Sequence, residues 1–376
     1  MSPLGSSTDL TGAKRMVVKI GSQLLVDQAS GTLHRKWLDS LAEDLARCRD
    51  RGQELIIVSS GAIAVGRRYL GLAEGALRLE EKQAAAATGM IRLAHAYQEV
   101  LGRHDMTVAQ VLLTLDDSED RRRYLNARNT LSALLRMGAV PLINENDTVA
   151  TDEIRFGDND RLAARVAAMI SADTLVLLSD IDGLYSADPR TDASATLLHE
   201  VREITPEIEA MAGGTGTYEG SGGMVTKLSA ARVALAAGCR MAIANGRDDH
   251  PLQRIEGGAK CTWFMTAATP RAARKQWIAG SLKPSGSLTL DDGALKALKG
   301  GKSLLPAGVT AVEGNFSRGD AVIIKSSAGV EVARGLTAYS AADARRIIGH
   351  KTGEIEALLG YRGRDEIIHR DDLALG

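Results

Sequence analysis

Short apolar runs alternate with longer amphipathic segments through the first two-thirds of the chain. The runs that predict strands cover residues 16–20, 55–59, 107–112, 140–143, 174–178 and 241–244. Between them lie segments with apolar residues at helical spacing, for example 38–51, 81–101, 122–137 and 225–237. Near-continuous apolar strands joined by helices are typical of a parallel sheet that is covered on both faces. We therefore expect an α/β fold with a mostly parallel open sheet sandwiched by helices.

The pattern changes after about residue 270, where helical periodicity fades. Short strands are predicted at 287–290, 308–313, 321–325 and 331–336, and Gly and Asp residues separate them. A chain of 376 residues is long enough for two or three domains. We expect one domain over residues 1–268, a linker over 268–275, and a small β-rich domain over 276–376.

Polar residues follow the predicted strand at 140–143 directly. Asn144 to Asp147 come first, and a second cluster, 157–160, precedes a helical pattern. Such groups are costly to bury unless they bind something, and ligands of open α/β sheets lie beyond the carboxyl ends of the strands. This predicts an active-site rim for a cationic group, a metal, or both. The alternative is a solvated loop in which Asp158 caps the helix.

Two other strand ends carry candidate chemistry. Lys19 ends a buried strand and is followed by Gly21 and Ser22, whose N–H groups could bind an anion. The alternative is a lysine that extends to water. Ser60 and Gly61 lie between a strand and a helix, a place suited to a carboxylate or phosphate. The alternative there is a plain helix cap.

A glycine-rich stretch, 213–223, leads into a helix that carries Lys227 in its first turns. Glycines allow close backbone approach to phosphates, and Lys227 could reach them. Neither the P-loop motif nor the G-x-G-x-x-G motif is present there, which weakens both of those interpretations. Ser179 and Asp180 follow another buried strand and could edge a nucleotide pocket, although alone they indicate only a turn-rich loop.

Composition narrows the class of protein. The net charge is −1, which favours neither a nucleic-acid nor a membrane partner. Residues 271–376 contain 16 Lys and Arg against 12 Asp and Glu, a mildly basic balance too weak to establish RNA binding. The three cysteines are far apart, which favours a reducing compartment and disfavours structural zinc. No signal peptide or membrane span is predicted, so we expect a cytoplasmic location.

Five motifs in this order resemble the amino acid kinase family: VVKIGS (17–22), VSSGAIAVG (58–66), INENDTVATDEIRFGDND (143–160), LLSDIDGLYSADPR (177–190) and SGGMVTK (221–227). Residues 302–306 and 314–320 are similar to a PUA domain, a small module often found on RNA-modifying proteins. The resemblance covers nearly the whole chain except the first dozen residues. One departure is mild, since Ser22 stands where many relatives carry threonine.

The resemblance implies ATP-dependent phosphorylation of the L-glutamate γ-carboxylate, the first step of proline synthesis, with Mg²⁺ as companion of ATP. It implies that Lys19 and Lys227 flank the transferred phosphoryl group and that Asp160 holds the two lysines. It also implies two sets of binding residues: Ser60, Asp147 and Asn159 for glutamate; Lys19, Ser179, Asp180, Ser221, Gly222, Gly223, Met224, Val225, Thr226 and Lys227 for ATP. No protein ligand for a metal is predicted.

The resemblance also implies feedback inhibition by proline. It implies a homo-oligomer as well, either a dimer or a tetramer. Two alternatives stay open. The first is a family member that acts on N-acetylglutamate, aspartate, carbamate or a nucleoside monophosphate. Asp147 argues against an acetylated amine, because a free ammonium group needs a carboxylate and an acetylated one does not, and the PUA-like tail also argues against this alternative. The second is an RNA-binding protein that works through its tail, which leaves the motifs above unexplained.

Overall fold

The computed structural model describes residues 8–27, 29–72, 75–149, 159–212, 223–280 and 283–376. The chain forms two compact units. The first contains residues up to Glu119 together with Asn126–Pro270, and the second contains Asp120–Leu125 together with Arg271–Gly376. The predicted bounds of 1–268 and 276–376 stay a prediction, and the six residues 120–125 were not expected in the second unit.

An eight-stranded sheet forms the centre of the first unit. Its strands are β1 (Arg15–Ile20), β2 (Glu54–Ser59), β3 (Val108–Leu113), β4 (Val140–Glu145), β5 (Thr174–Ser179), β6 (Glu200–Val201), β7 (Arg240–Asn245) and β8 (Cys261–Phe264). Their order is β3-β4-β2-β1-β5-β7-β8-β6. All neighbours pair in parallel except β7 and β8. The mostly parallel sheet predicted from the apolar runs is confirmed.

Helices cover both faces of this sheet. They are α1 (Ser22–Leu25), α2 (Arg35–Asp50), α3 (Ala62–Tyr69), α4 (Leu79–Gly102), α5 (Leu115–Glu119), α6 (Arg121–Arg136), α7 (Asn159–Met169), α8 (Pro206–Met211), α9 (Met224–Ala236) and α10 (Pro251–Glu256). Met16, Val18 and Ile20 of β1 share a core with residues of α2 and α4. Side chains alternate along a strand, so Lys19 faces the opposite side, where α7 lies.

Helices α3 and α4 approach each other closely through two glycines. A Cβ atom at Gly66 would lie 1.7 Å from the carbonyl oxygen of Ala85, and one at Gly89 would lie 1.8 Å from that of Ala62. Any side chain at either position would therefore push the helix backbones apart. This contact fixes α4 against the helix that begins directly after Ser60 and Gly61.

The second unit contains a five-stranded sheet. Its strands are β9 (Gly286–Leu290), β10 (Val309–Gly314), β11 (Ala321–Lys325), β12 (Glu331–Leu336) and β13 (Leu373–Leu375), in the order β10-β9-β11-β12-β13. Only β9 and β11 pair in parallel. Four helices accompany it: α11 (Pro270–Gly280), α12 (Asp292–Lys299), α13 (Ala341–Ile347) and α14 (Ile355–Leu359). The small β-rich module is confirmed.

Helix α11 differs from the sequence expectation. Residues 268–275 were expected to form a linker, but the helix begins at Pro270 and continues to Gly280. Arg274 ties this helix to the rest of its unit, because its buried guanidinium contacts a carboxylate oxygen of Asp372 at 2.6 Å and the hydroxyl of Tyr124 at 3.2 Å. A long-range ion pair of this kind leaves no periodic signal in the sequence. Within the described ranges, no helix is both long and apolar enough to cross a membrane.

Candidate active site

Four neighbouring strands bring the polar motifs to one edge of the first sheet. β1 pairs in parallel with β2 and β5, and β2 pairs with β4, so their carboxyl ends lie side by side. Ile20 is level with Ser59 on one side and with Leu178 on the other. The turns that follow these strands therefore lie together at one edge of the sheet. Open α/β sheets bind their ligands at such an edge, beyond the carboxyl ends of the strands.

A cluster of two lysines and one aspartate lies at this edge. Lys19 Nζ is 2.7 Å from Asp160 Oδ1, and Lys227 Nζ is 3.2 Å from Asp160 Oδ2. The three residues come from β1, α7 and α9 and are only 6%, 1% and 3% exposed for Lys19, Asp160 and Lys227. The structure thus brings together the three residues for which the sequence predicted a shared role.

Electrostatics keep the Asp160 carboxylate charged. Burial alone would raise the pKa of Asp160, but the ammonium groups of Lys19 and Lys227 outweigh that effect and hold its pKa below the usual value. An ionised Asp160 can therefore hold both ammonium groups at one point throughout the neutral range.

The first turn of α9 contributes a hydroxyl to the same cluster. Thr226 Oγ1 is within hydrogen-bond distance of Asp160 Oδ2, at 3.1 Å, and of the Gly223 carbonyl oxygen, at 2.7 Å. Gly223 is the N-cap of α9, so the N–H groups of Met224 and of the exposed Val225 lie at the N-terminus of the helix. The N-terminus of a helix attracts anions. The predicted Ser221 and Gly222 lie outside the described residues.

The Asn159 carboxamide lies beside this cluster and is bound by three acceptors. Its Nδ2 donates to the Ser59 carbonyl at 2.8 Å, to Ser60 Oγ at 2.8 Å and to Asn144 Oδ1 at 3.3 Å. Asn159 is 4% exposed. Among the described residues, its Oδ1 atom is buried without a hydrogen-bond partner. A buried acceptor of this kind is costly unless a ligand donates to it.

Asp147 forms the third polar feature of this edge. It begins a 3-10 turn one residue after the end of β4 and is 7% exposed. Burial raises the pKa of Asp147 to about 6. Its carboxylate is therefore costly to ionise in the protein alone, and a cationic ligand beside it would offset that cost. Residues 150–158 lie outside the described residues, and so does the alternative in which Asp158 caps the helix.

Ser179 ends β5, which lies two strands away from β2 in the sheet, and Asp180 follows it. Ser179 is buried and donates from Oγ to Asp180 Oδ1 at 3.1 Å, whereas Asp180 is exposed. The loop that follows is tied to β8, since Thr262 Oγ1 accepts the Leu184 N–H at 2.8 Å. The loop is thus held against β8, and the role of Ser179 and Asp180 at the edge of a nucleotide pocket stays a prediction.

Three residues that support this site were given no role by the sequence reasoning. Asn144 was recognised as part of the polar rim but was given no role, although its amide contacts that of Asn159. Met90 and Tyr97 of α4 contact Asn144 and Ser59, respectively. Both are ordinary core residues of an amphipathic helix, and nothing in the sequence pattern sets them apart.

Among the residues that the structure describes, no group of three or more His, Cys, Asp or Glu side chains could hold a metal ion. The best-placed carboxylate, Asp160, is engaged by two ammonium groups. The arrangement therefore suits an anionic ligand at the lysines and a cationic one near Asp147.

The chain matches known proteins over most of its length. The amino acid kinase family matches residues 14–245, and the PUA domain matches residues 286–359. The chain is 66% identical to glutamate 5-kinase of Paramagnetospirillum magneticum over 100% of both chains. It is 62% identical to glutamate 5-kinase of Rhodospirillum rubrum over 96% of both chains. It is 61% identical to glutamate 5-kinase of Dinoroseobacter shibae over 97% of this chain and 99% of the relative.

Proposed function

The chain belongs to the amino acid kinase family and ends in a PUA domain, and we propose that it transfers the γ-phosphoryl group of ATP to the γ-carboxylate of L-glutamate. The products are L-glutamyl 5-phosphate and ADP, and the reaction is the first step of proline biosynthesis. Relatives named glutamate 5-kinase, which match the full length of the chain, support the substrate. The buried Lys19–Asp160–Lys227 cluster is the observation that carries the chemistry.

The reaction needs little covalent work from the protein. A γ-carboxylate is already ionised at pH 7, so no general base is required. One of its oxygens bonds to the γ-phosphorus while the bond from that phosphorus to the bridging oxygen breaks, and ADP leaves with the electron pair. The main obstacle is repulsion between two anions, and phosphoryl transfer is catalysed chiefly by positioning and by positive charge.

Lys19 and Lys227 supply that positive charge. Their ammonium groups meet at one carboxylate and are almost fully buried, so they need no reorganisation when charge develops on the phosphoryl oxygens. Asp160 fixes the separation of the two ammonium groups, since each lies beside one of its carboxylate oxygens. Thr226, within hydrogen-bond distance of Asp160, restrains the carboxylate from the α9 side.

The glutamate site is formed by Ser60, Asp147 and Asn159. The Asp147 carboxylate pairs with the α-ammonium group of the substrate, which offsets the cost that burial imposes on it. The Asn159 Oδ1 atom accepts a hydrogen bond from the same end of the substrate. The Ser60 hydroxyl, which accepts from Asn159 Nδ2, is left able to donate to a substrate carboxylate.

The nucleotide site is formed by Lys19, by Ser179 and Asp180, and by residues 221–227. The N-terminal N–H groups of α9 and Lys227 suit the phosphates. ATP use follows from the family. Mg²⁺ accompanies the nucleotide, because it is usually held by substrate phosphates and water with few protein ligands. When bound, it neutralises phosphate charge, and we assign it no protein ligand.

An acceptor comparison tests the function. The enzyme is incubated with ATP, Mg²⁺ and hydroxylamine, which traps an acyl phosphate as a hydroxamate. L-glutamate, N-acetylglutamate and L-aspartate are compared as acceptors. We expect hydroxamate with L-glutamate alone. Product from another acceptor alone would overturn the substrate, and no product from any acceptor would overturn the reaction.

Proline inhibition is a separate proposal. Proline is a cyclised relative of glutamate, so its ammonium and carboxylate groups suit Asp147 and Asn159. We expect proline to raise KM for glutamate and saturating glutamate to relieve the inhibition. Inhibition that is indifferent to glutamate concentration would contradict a shared site.

A homo-oligomer, dimer or tetramer, stays a prediction, and light scattering of the purified chain would test it. RNA binding by the second unit is supported only by the PUA match and by the basic balance of residues 271–376. A salt-dependent RNA shift would support it. A cytoplasmic location is proposed because all three cysteines of the chain, Cys48, Cys239 and Cys261, are buried and unpaired.

A further inference from the structure

The orientation of the Asn159 carboxamide decides what it offers to a ligand. Its amino group is turned toward three oxygen acceptors, on Ser59, Ser60 and Asn144. Its carbonyl oxygen is consequently the atom left for a ligand, and it has no partner among the described residues. Whatever holds those three acceptors in place therefore determines that the site presents an acceptor rather than a donor.

Helix α4 contacts the first of the acceptor residues. The Tyr97 hydroxyl lies 3.1 Å from Ser59 Oγ, and Tyr97 is fully buried. Burial raises the pKa of Tyr97, so the phenol stays protonated. The Ser59 hydroxyl also reaches the Ser60 carbonyl at 3.3 Å. The phenol thus restrains the Ser59 hydroxyl and, through its contact with the Ser60 carbonyl, the turn whose Ser59 carbonyl and Ser60 hydroxyl accept from Asn159 Nδ2.

Helix α4 also contacts Asn144, the third acceptor residue, through a side chain two turns away from Tyr97. Asn144 Nδ2 donates to the Met90 sulfur at 3.2 Å. With its amino group committed to Met90, Asn144 turns its Oδ1 atom toward Asn159 Nδ2 and the Glu145 N–H. Met90 and Tyr97 are seven residues apart on α4, a spacing that puts both side chains on one face of the helix.

Helix α4 cannot shift easily to relax these contacts. Gly89, next to Met90, lies against the Ala62 carbonyl so closely that a Cβ atom there would be 1.8 Å from it. Close-packed interiors transmit small displacements rather than absorb them. The two polar contacts are therefore carried by a helix with a fixed position.

We propose that Tyr97 and Met90 are positioning residues for the acceptor half of the active site. They act through Ser59 and Asn144 to turn the Asn159 carboxamide, so that its oxygen faces an N–H donor of the substrate, which is the α-ammonium group of an amino acid. The inference rests on the proposed function for the identity of that donor. It assigns to α4 a part in binding the N–H end of the substrate and no part in nucleotide binding.

Steady-state kinetics of Tyr97→Phe test the proposal. The variant keeps the ring and removes one buried hydroxyl. We expect KM for L-glutamate to rise about three- to tenfold, the range for one buried hydrogen bond, with KM for ATP unchanged. The matched control is Tyr361→Phe, which removes the hydroxyl of a half-exposed tyrosine near Asp343 in the second unit. That control should leave both KM values unchanged.

A double-mutant cycle tests the route. If Tyr97 acts through the Ser59 hydroxyl, Ser59→Ala combined with Tyr97→Phe should raise KM for glutamate no more than the worse single change. Fully additive effects would contradict the route through Ser59. Met90→Leu, which conserves volume and removes the sulfur acceptor, should also raise KM for glutamate alone. It supplies an independent test if Tyr97→Phe folds poorly.

The outcomes separate this inference from the proposed function. A wild-type enzyme that makes no hydroxamate with L-glutamate would overturn the function itself. An active wild type whose KM for glutamate is unaffected by Tyr97→Phe and Met90→Leu would overturn the inference alone. So would variants in which both KM values rise equally, because that result indicates general loosening of the fold.

Discussion

Replacing Asp147 with asparagine should stabilise the protein while weakening glutamate binding. Asp147 is 7% exposed, and burial raises its pKa to about 6 from a model-peptide value of 3.8. The folded state therefore resists ionisation of this group. Asparagine has nearly the same shape as the protonated acid and carries no charge, so Asp147→Asn removes the cost of keeping a buried carboxylate ionised.

The magnitude follows from proton linkage. The pKa is higher in the folded than in the unfolded state, so this group's stabilisation is full below pH 3.8 and is lost as pH rises toward 6. Each unit of difference between the folded and unfolded pKa corresponds to about 1.4 kcal/mol. The difference therefore gives a cost of about 3 kcal/mol in unfolding free energy at pH 8. At pH 5 the wild-type carboxyl is mostly protonated in the folded state, and the cost is about half as large.

Urea unfolding of wild type and Asp147→Asn at pH 8 and pH 5 measures this cost. The variant should gain about 3 kcal/mol in unfolding free energy at pH 8 and about half that at pH 5. Its KM for glutamate should rise at least about tenfold, since it loses a charged partner for the ammonium group. A variant that is no more stable than wild type at pH 8 would refute the argument from burial.

Three further outcomes follow from the same contacts. KM for glutamate in the wild type should rise as pH falls below about 6, because Asp147 then protonates; a flat profile from pH 8 to 5 would contradict its role. Asp160→Asn should lower unfolding free energy by roughly 3–5 kcal/mol in urea, because two buried lysines lose their shared carboxylate. Gly89→Ala should lower it by roughly 1–3 kcal/mol or more, since its Cβ would meet the Ala62 carbonyl, whereas Gly102→Ala, in open space at the end of the same helix, should not.

Much of the fold could be predicted from sequence periodicity. The six predicted strands of the first unit match β1 to β5 and β7 to within about two residues, because buried parallel strands are continuous apolar runs. The two-residue β6 and the four-residue β8 were not predicted. Strands so short carry too little pattern to be distinguished from loops.

The site was predictable in part. Lys19 lies near the end of a strand, and Asp160 and Lys227 lie in the first turns of helices, all with a clear pattern, so the topology brings them to one edge of the sheet. The supporting contacts were not predictable. The hydrogen bond between Tyr97 and Ser59 joins residues 38 positions apart, and the one that Asn144 donates to Met90 joins residues 54 positions apart. Both depend on how helices pack.

The most direct test of the account is the turnover of Lys227→Ala at saturating ATP and L-glutamate. Lys227 is 3% exposed and held by Asp160, so its ammonium group is preorganised for the phosphoryl group. The account predicts that kcat for hydroxamate formation falls roughly 10²–10³-fold, the range for one preorganised donor, while circular dichroism shows an intact fold. Near-normal kcat in a folded Lys227→Ala variant would contradict the claim that this lysine cluster carries the phosphoryl transfer.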